Sequence, residues 1–359
     1  MRRPDPRQRV RVPWQTLGLV AKVGIDLRLC NAKCWWDAYP DVSVRPLSYP
    51  AHAFKQHLPG SCSRQRNASI MLSRIFSHLA VALIWLLHLL PLSVLAIIGR
   101  GLGWLFYYIA RRRRKIALVN LALCFPELGE HERKQLARTS FQAIGRSILE
   151  RSILWWGGRE RISRLIKLDG EEKLYALHKS VRPVILLVPH FVGLDAAGVA
   201  IAMRYDSVSI YAAQKNEVFN RLLFKGRQRF GDQLLLSRQD GVRATVKAMK
   251  SGRPFFYLPD LNFRRRDSIF VPFFGVQTAT ISGLSRLSRA AGAVVVPCIA
   301  RMLPGSEGYR VEICDAWTDF PTEDVVADTA RMNAWIESVI RTMPEQYYWV
   351  HRRFKTRPP

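Results

Sequence analysis

The sequence predicts an α/β fold, a mostly parallel sheet flanked by helices, preceded by an N-terminal membrane-anchoring helix. Two observations carry this. From residue 116 onward, short apolar runs alternate with longer segments of helical period, the pattern of strands joined by crossover helices. Upstream, Ile75 to Ile98 is almost wholly apolar, and about 20 such residues cross a bilayer core. The strands are predicted at Val184–Val188, Ser207–Ala213, Gln233–Leu236, Phe255–Leu258, Ala293–Ala300 and Tyr309–Asp315. The helices are predicted at Glu130–Trp156, Gly193–Arg204, Glu217–Arg229, Gly241–Ser251, Ser282–Ala291 and Glu323–Met343.

The anchor reading covers residues 71–115. Trp104, Phe106, Tyr107 and Tyr108 follow the apolar stretch, then Arg111-Arg112-Arg113-Arg114-Lys115. An aromatic belt followed by clustered cations marks the cytoplasmic end of an anchor. Gly99-Arg-Gly-Leu-Gly103 lies inside this segment and follows no strand, so it is not a phosphate loop. Residues 1–70 mix Arg, Pro, Trp and Cys without period and read as a disordered extension that is dispensable for membrane attachment and activity. Met71 then reads as the natural start. Residues 116–359 form the α/β domain.

Across 359 residues, 55 Lys and Arg stand against 28 Asp and Glu, a net charge of +27. Such a surface attracts polyanions, whether anionic lipid, acidic protein or nucleic acid. Cys30 and Cys34 have a metal-like spacing, but no second Cys or His pair follows at zinc-finger distance. All six cysteines therefore read as unpaired thiols, and neither a metal nor a cofactor is expected.

The strongest chemical signal is His190-Phe-Val-Gly-Leu-Asp195. His190 leaves the end of the Val184–Val188 strand, where open α/β sheets place their ligands. A neutral imidazole can take a hydroxyl proton while a carboxylate holds its other nitrogen. The structural alternative is a strand-end histidine and a helix-capping Asp. Lys225-Gly-Arg227-Gln-Arg229 reads by charge as a solvated helix end. Leu258-Pro-Asp260-Leu-Asn262 opens a loop that runs through three arginines to Val271-Pro-Phe-Phe-Gly275. Phe273 and Phe274 either line an acyl channel or fill the core. The aromatic and basic run Tyr347–Lys355 suits a membrane interface, nucleotide stacking or a charged terminal element.

From about Met71 to Pro359 the chain resembles the late acyltransferases of lipid A biosynthesis, the HXXXXD-type lauroyl/myristoyl transferase family. The residues that carry the resemblance are Arg111–Lys115, Asn120-Leu-Ala-Leu-Cys-Phe-Pro-Glu127, His190 with Asp195, and Asn216 with Arg227. They continue through Pro259-Asp260, Val271-Pro-Phe-Phe-Gly275 with Ala279-Thr280, and Trp349-Val-His-Arg-Arg-Phe-Lys-Thr-Arg357. The chain departs from the family after Pro259-Asp260. A second acid and a glycine are usual there, and Asn262 and Arg264 stand in their places.

The resemblance implies a glycerolipid-acyltransferase-like fold and an enzyme on the cytoplasmic face of a cell inner membrane. It implies transfer of a fatty acyl chain from acyl carrier protein to a 3-hydroxyacyl hydroxyl of a lipid A precursor. His190 would be the general base, Asp195 would orient it, and Arg227 and Asp260 would contact substrate. The partners would be acyl carrier protein, the lipid A precursor and inner membrane lipids, not nucleic acid. The base would act directly, with no acyl-enzyme, and backbone N–H groups after His190 would hold the oxyanion. A glycerolipid acyltransferase shares the His-to-Asp spacing but should carry a Gly-Thr-Arg-like phosphate motif, which is not found. A basic membrane-tethered nucleic-acid-binding protein would explain the charge, yet no binding module is present.

Overall fold

The structure, a computed structural model, describes residues 75–211, 216–237, 240–263 and 265–358. The expectations for residues 1–70, the start at Met71, Cys30, Cys34, Cys62 and Arg264 lie outside the described residues. Seven strands form one sheet: β1 (Ile166–Asp169), β2 (Val184–Leu187), β3 (Val208–Tyr211), β4 (Leu234–Ser237), β5 (Phe255–Tyr257), β8 (Val294–Met302) and β9 (Tyr309–Ile313). Their order is β1-β9-β8-β2-β5-β3-β4, and β6 (Ile269–Phe273) and β7 (Val276–Thr280) form a separate hairpin. Every neighbour pair in the large sheet is parallel except β8 with β9.

Strand β2 lies between β8 and β5, and all four of its residues are buried. A strand covered on both faces needs a continuous apolar run. Its side chains split by parity: Ile185 and Leu187 join the core on one face, Val184 and Leu186 the core on the other.

The helices that bear on the site are α1 (Ile75–Leu87), α2 (Leu92–Ile109), α3 (Arg111–Cys124) and α4 (Glu130–Trp156). After α5 (Arg159–Leu165) and α6 (Glu171–Lys179) come α7 (Leu194–Ala202) and α8 (Glu217–Arg227). The set closes with α9 (Gly241–Lys250), α10 (Gly283–Ala291) and α11 (Val325–Thr342).

The apolar stretch expected as one span from Ile75 to Ile98 is two helices. Pro91 sits at the N-cap of α2, where its lack of an N–H is harmless. The carbonyls freed at the break are taken by Arg161, which donates to Leu90 O at 2.6 Å and to His88 O. Helix α2, 18 residues long, is apolar enough to cross a membrane by length and composition. One side of it is open: Ile97 is 62% exposed, and Ile98, Trp104, Leu105 and Tyr108 are exposed with it.

The other side of α2 lies against α4 at backbone distance. A Cβ on Gly103 would stand 2.2 Å from Phe141 O, and one on Gly145 would stand 2.2 Å from Gly99 O. The glycines at 99, 103 and 145 are thus the contact surface of a helix crossing, as small residues are in close-packed helix pairs. Gly101 faces away, and nothing lies within 4 Å of a Cβ placed there.

The β6–β7 hairpin explains Val271-Pro-Phe-Phe-Gly275. Phe273 pairs with Val276, leaving Phe274 (φ 50°) and Gly275 (φ 72°) as a two-residue turn. Both central residues need positive φ in this turn type, and glycine takes one of them without strain. Phe273 and Phe274 are buried against Phe125, Tyr347, Trp349 and Phe354, so they fill the core and do not line an acyl channel.

Gly103→Val should force α2 off α4 and cost about 1–3 kcal/mol of stability. Gly101→Ala should be neutral or stabilising by up to about 1 kcal/mol, since it only improves helix propensity. Thermal unfolding of both variants in the same detergent checks the pair. A Gly103→Val protein as stable as wild type would show that the crossing is not tight.

Candidate active site

Strands β2 and β5 are parallel neighbours, with Leu187 opposite Tyr257. Val188 N continues the ladder to Tyr257 O at 2.9 Å. His190 lies three residues beyond Leu187, and Asp260 three residues beyond Tyr257. Equal offsets from a paired register bring the two side chains together at the carboxyl edge of the sheet. His190 Nδ1 lies 2.6 Å from Asp260 Oδ1, and the His190 backbone N–H donates to Asp260 Oδ2 at 2.9 Å.

Asp260 is 0% exposed and His190 is 5% exposed. Burial alone would raise the Asp260 carboxyl. The His190 charge and hydrogen bonds outweigh it and hold Asp260 below its ordinary value. An ionised carboxylate only accepts, so Nδ1 of His190 carries a proton.

This corrects the expected pairing. Asp195, in the first turn of α7, takes Arg151 of α4: Nε at 2.7 Å and Nη2 at 2.5 Å, both on Oδ2. The imidazole takes Asp260 instead. Asp260 is also not where substrate contact was expected, because both its oxygens are spent on His190 and none of it reaches solvent. The first turn of α7 faces Asp195 toward Arg151 of α4. Only strand register reveals the true partner, and the sequence signal was the matching offset of His190 and Asp260 from their strand ends.

His190, Asp195, Arg151 and Arg227 all line one cavity of about 990 Å³, at the upper end of the range for small-molecule sites. Its deep walls are apolar, with Phe106 of α2, Phe141 of α4, Val199 of α7, Leu223 of α8 and Phe256 of β5 among them. The basic end of α8 is not simply solvated, as charge had suggested. Gly226 abuts the Trp155 ring, and Arg229 donates to Leu154 O at 3.2 Å and to Gly157 O, capping the end of α4. Arg227 between them faces the cavity.

Three of the backbone N–H groups after His190 are committed to other acceptors. Phe191 N donates to Pro189 O, Val192 N to Gln346 O and Leu194 N to Phe191 O.

The segment 344–356 forms the second wall of the site. Tyr348 N donates to His190 O at 3.1 Å, and Tyr347 OH to Asp260 O at 3.4 Å. Asn120 of α3 holds this segment by donating to Trp349 O at 2.7 Å and His351 O at 2.6 Å. Trp349 is 1% exposed and Tyr347 is buried, so the aromatic run is core and not a membrane or nucleotide surface. Arg353, also buried, donates to Ala279 O at 2.7 Å and Thr280 Oγ1 at 2.8 Å.

Asn262, one of the departing positions, fits its place chemically. Its Oδ1 accepts from Thr356 N at 3.0 Å, its Nδ2 donates to Thr356 Oγ1 at 3.1 Å, and its backbone N–H donates to His351 Nε2 at 3.1 Å. A carboxamide both donates and accepts there, which a carboxylate cannot do. No group of His, Cys, Asp and Glu able to hold a metal occurs among the described residues. Cys124, Cys298 and Cys314 are free thiols, each pushed up by burial, and none lines the cavity.

Residues 63–356 match the family model for bacterial lipid A biosynthesis acyltransferase. The chain belongs to that family. The match begins before Met71 and leaves residues 1–62 outside it. A lipid A biosynthesis lauroyltransferase of Escherichia coli (strain K12) is 34% identical over 281 residues, 78% of this chain and 91% of the relative. The palmitoleoyltransferase of the same strain is 31% identical over 279 residues, 77% of this chain and 90% of its own. The myristoyltransferase is 30% identical over 267 residues, 74% and 81%. This chain is thus an acyltransferase of lipid A biosynthesis, with its His190–Asp260 pair at the edge of the sheet.

In this acyltransferase, burial holds the His351 imidazole down to about 3, helped by the charges of His190 and Arg353. Unfolded, it titrates at about 6.5. The native state therefore binds fewer protons between those values. The stability this gives is full above about pH 6.5 and lost as pH falls toward about 3. The wild-type melting temperature should fall between about pH 6.5 and 4, and His351→Gln should flatten that fall. Parallel pH profiles of the two proteins would sink the idea.

Proposed function

We propose that the chain transfers a fatty acyl group from acyl carrier protein to the hydroxyl of a 3-hydroxyacyl chain on a lipid A precursor. The His190–Asp260 pair carries this reading. A secondary hydroxyl is a poor nucleophile and needs a base. His190 Nε2 takes its proton as the oxygen attacks the thioester carbonyl carbon. The C–O bond forms, and the carbonyl electrons move to oxygen. The tetrahedral species collapses, the C–S bond breaks, and the leaving thiolate takes the proton from Nε2. Asp260 fixes the tautomer and stabilises the transient imidazolium.

Asp195 keeps a role through Arg151, which it holds at the cavity wall. Arg151 and Arg227 supply positive charge where the oxyanion and polar substrate groups lie, beside the backbone N–H groups at the start of α7. The acyl chains occupy the apolar depth of the cavity. The reaction is direct, in accord with three raised thiols that lie away from the cavity.

The reading includes work at the cytoplasmic face of the inner membrane. It is supported by the exposed apolar side of α2 and by Arg111–Lys115 immediately after it. A glycerolipid acceptor has less support, since the relatives named above are all of lipid A biosynthesis.

His190→Ala should lower acyl transfer by about 10²–10⁴-fold with the fold retained. Asp260→Asn should cost a comparable factor, because the amide can donate to Nδ1 and favours the wrong tautomer. Asp195→Asn should cost less, about tenfold, through a loosened Arg151. The assay is transfer of labelled acyl from acyl carrier protein to the lipid A precursor by purified, folded variants. Near-normal turnover of His190→Ala removes the base assignment. A larger loss for Asp195→Asn than for Asp260→Asn would restore Asp195 as the orienting acid.

A further inference from the structure

The cavity wall carries six Lys and Arg side chains: Arg112, Arg113, Arg151, Arg227, Arg352 and Lys355. It carries one carboxylate besides, Asp195, and that is taken by Arg151. Arg112 and Arg352 are exposed and line the cavity at once, which places them at its opening. They come from segments 240 residues apart, joined where Arg113 Nη1 donates to Val350 O at 3.2 Å.

No acidic side chain pairs with Arg112, Arg113 or Arg352 among the described residues. Arg111–Lys115 also open α3, whose first turn contains no acid. Cations belong at the other end of a helix, since the N-terminus is already positive. Arg112 and Arg113 stand at the helix end that is already positive, and Arg352 lines the same cavity with them, with no carboxylate paired to any of the three among the described residues.

The same run divides its side chains. Arg111, Arg114 and Lys115 face an outer groove with Leu118, Val119 and Ala122, on the far side of α3 from the cavity. The five cations therefore do not all face one side of α3.

We infer that Arg112, Arg113 and Arg352 form a phosphate-binding rim at the mouth of the cavity, which grips a phosphate group of one reactant while its acyl chain lies inside. Planar guanidiniums bind phosphate oxygens in pairs. Two sources share that chemistry: a phosphate on the glycolipid acceptor and the phosphodiester that links the donor thiol to its carrier protein. The inference rests on the function proposed above, and wild-type turnover tests that function separately.

The experiment compares wild type, Arg112→Gln/Arg352→Gln and the outward-facing control Arg111→Gln/Lys115→Gln, each first checked for folding by thermal unfolding. Steady-state kinetics use the intact acceptor or the acceptor after phosphatase treatment, and acyl carrier protein or an acyl-N-acetylcysteamine thioester lacking phosphate. The rim variant should raise the KM of one phosphate-bearing reactant by about tenfold or more, the usual cost of a lost charge-assisted pair, with kcat within about threefold. Removing the phosphate from that reactant should raise the wild-type KM similarly and erase the difference between wild type and variant. Erasure with the treated acceptor assigns the rim to the glycolipid, and erasure with the truncated thioester assigns it to the donor. The control variant should stay within about twofold. A penalty that survives loss of phosphate from both reactants, an equal penalty in the control, or no penalty at all overturns the rim. Wild-type inactivity with both intact reactants would instead overturn the proposed function.

Discussion

The site depends on one buried charge, the carboxylate of Asp260. A carboxylate with no access to water is costly unless its oxygens are matched by donors. Both donors here come from a single residue, the ring and the backbone N–H of His190. The parallel pairing of β2 and β5 delivers them. The same contact therefore settles the charge of the acid and the orientation of the imidazole. Much of what surrounds it serves to keep that geometry dry and still.

Three elements distant in sequence close on the pair. Helix α3 supplies Asn120, the β6–β7 hairpin supplies a carbonyl and a hydroxyl to Arg353, and segment 344–356 passes between them. Helix α4 runs beneath, about 40 Å long at 1.5 Å per residue, and gives Arg151 to the cavity. Helix α2 shares its faces between two environments. Phe106 and Ile109 line the cavity, while Ile97 and Trp104 face outward. The segment read as an anchor is thus also part of the cavity wall.

Much of the fold was legible because strong periodicity survives in a single sequence. Helix α4 spans the predicted residues, and the predicted strands of the large sheet lie within a few residues of β2, β3, β4, β5, β8 and β9. Strand β1 was missed, since Ile-Lys-Leu-Asp is too short and too polar at alternate positions to stand out. The hairpin was missed because Pro272 and the Phe-Phe-Gly turn read as a loop. Within the site, His190 was legible from its place after an apolar run, but its partner was not. Proximity along the chain favoured Asp195, whereas a parallel sheet makes partners of residues at equal height on neighbouring strands, here 70 positions apart. Asn262 looked like a loss when judged against a missing acid. Its two-way hydrogen bonding with Thr356 became visible only with the terminal segment in place.

Segment 344–356 follows every strand of the sheet along the chain, so it leaves the ribosome after all of them. The bonds from Asn120 to His351 close a loop of 231 residues, and contacts of such separation form late because loop closure precedes any reward. During synthesis the apolar helices emerge first and the sheet follows, while one wall of the cavity is still missing. Until that wall arrives, Asp260 and His190 stand open to water and the cavity has no far side. A chain interrupted ahead of Gln346 is therefore left with an exposed apolar trough and an incomplete site.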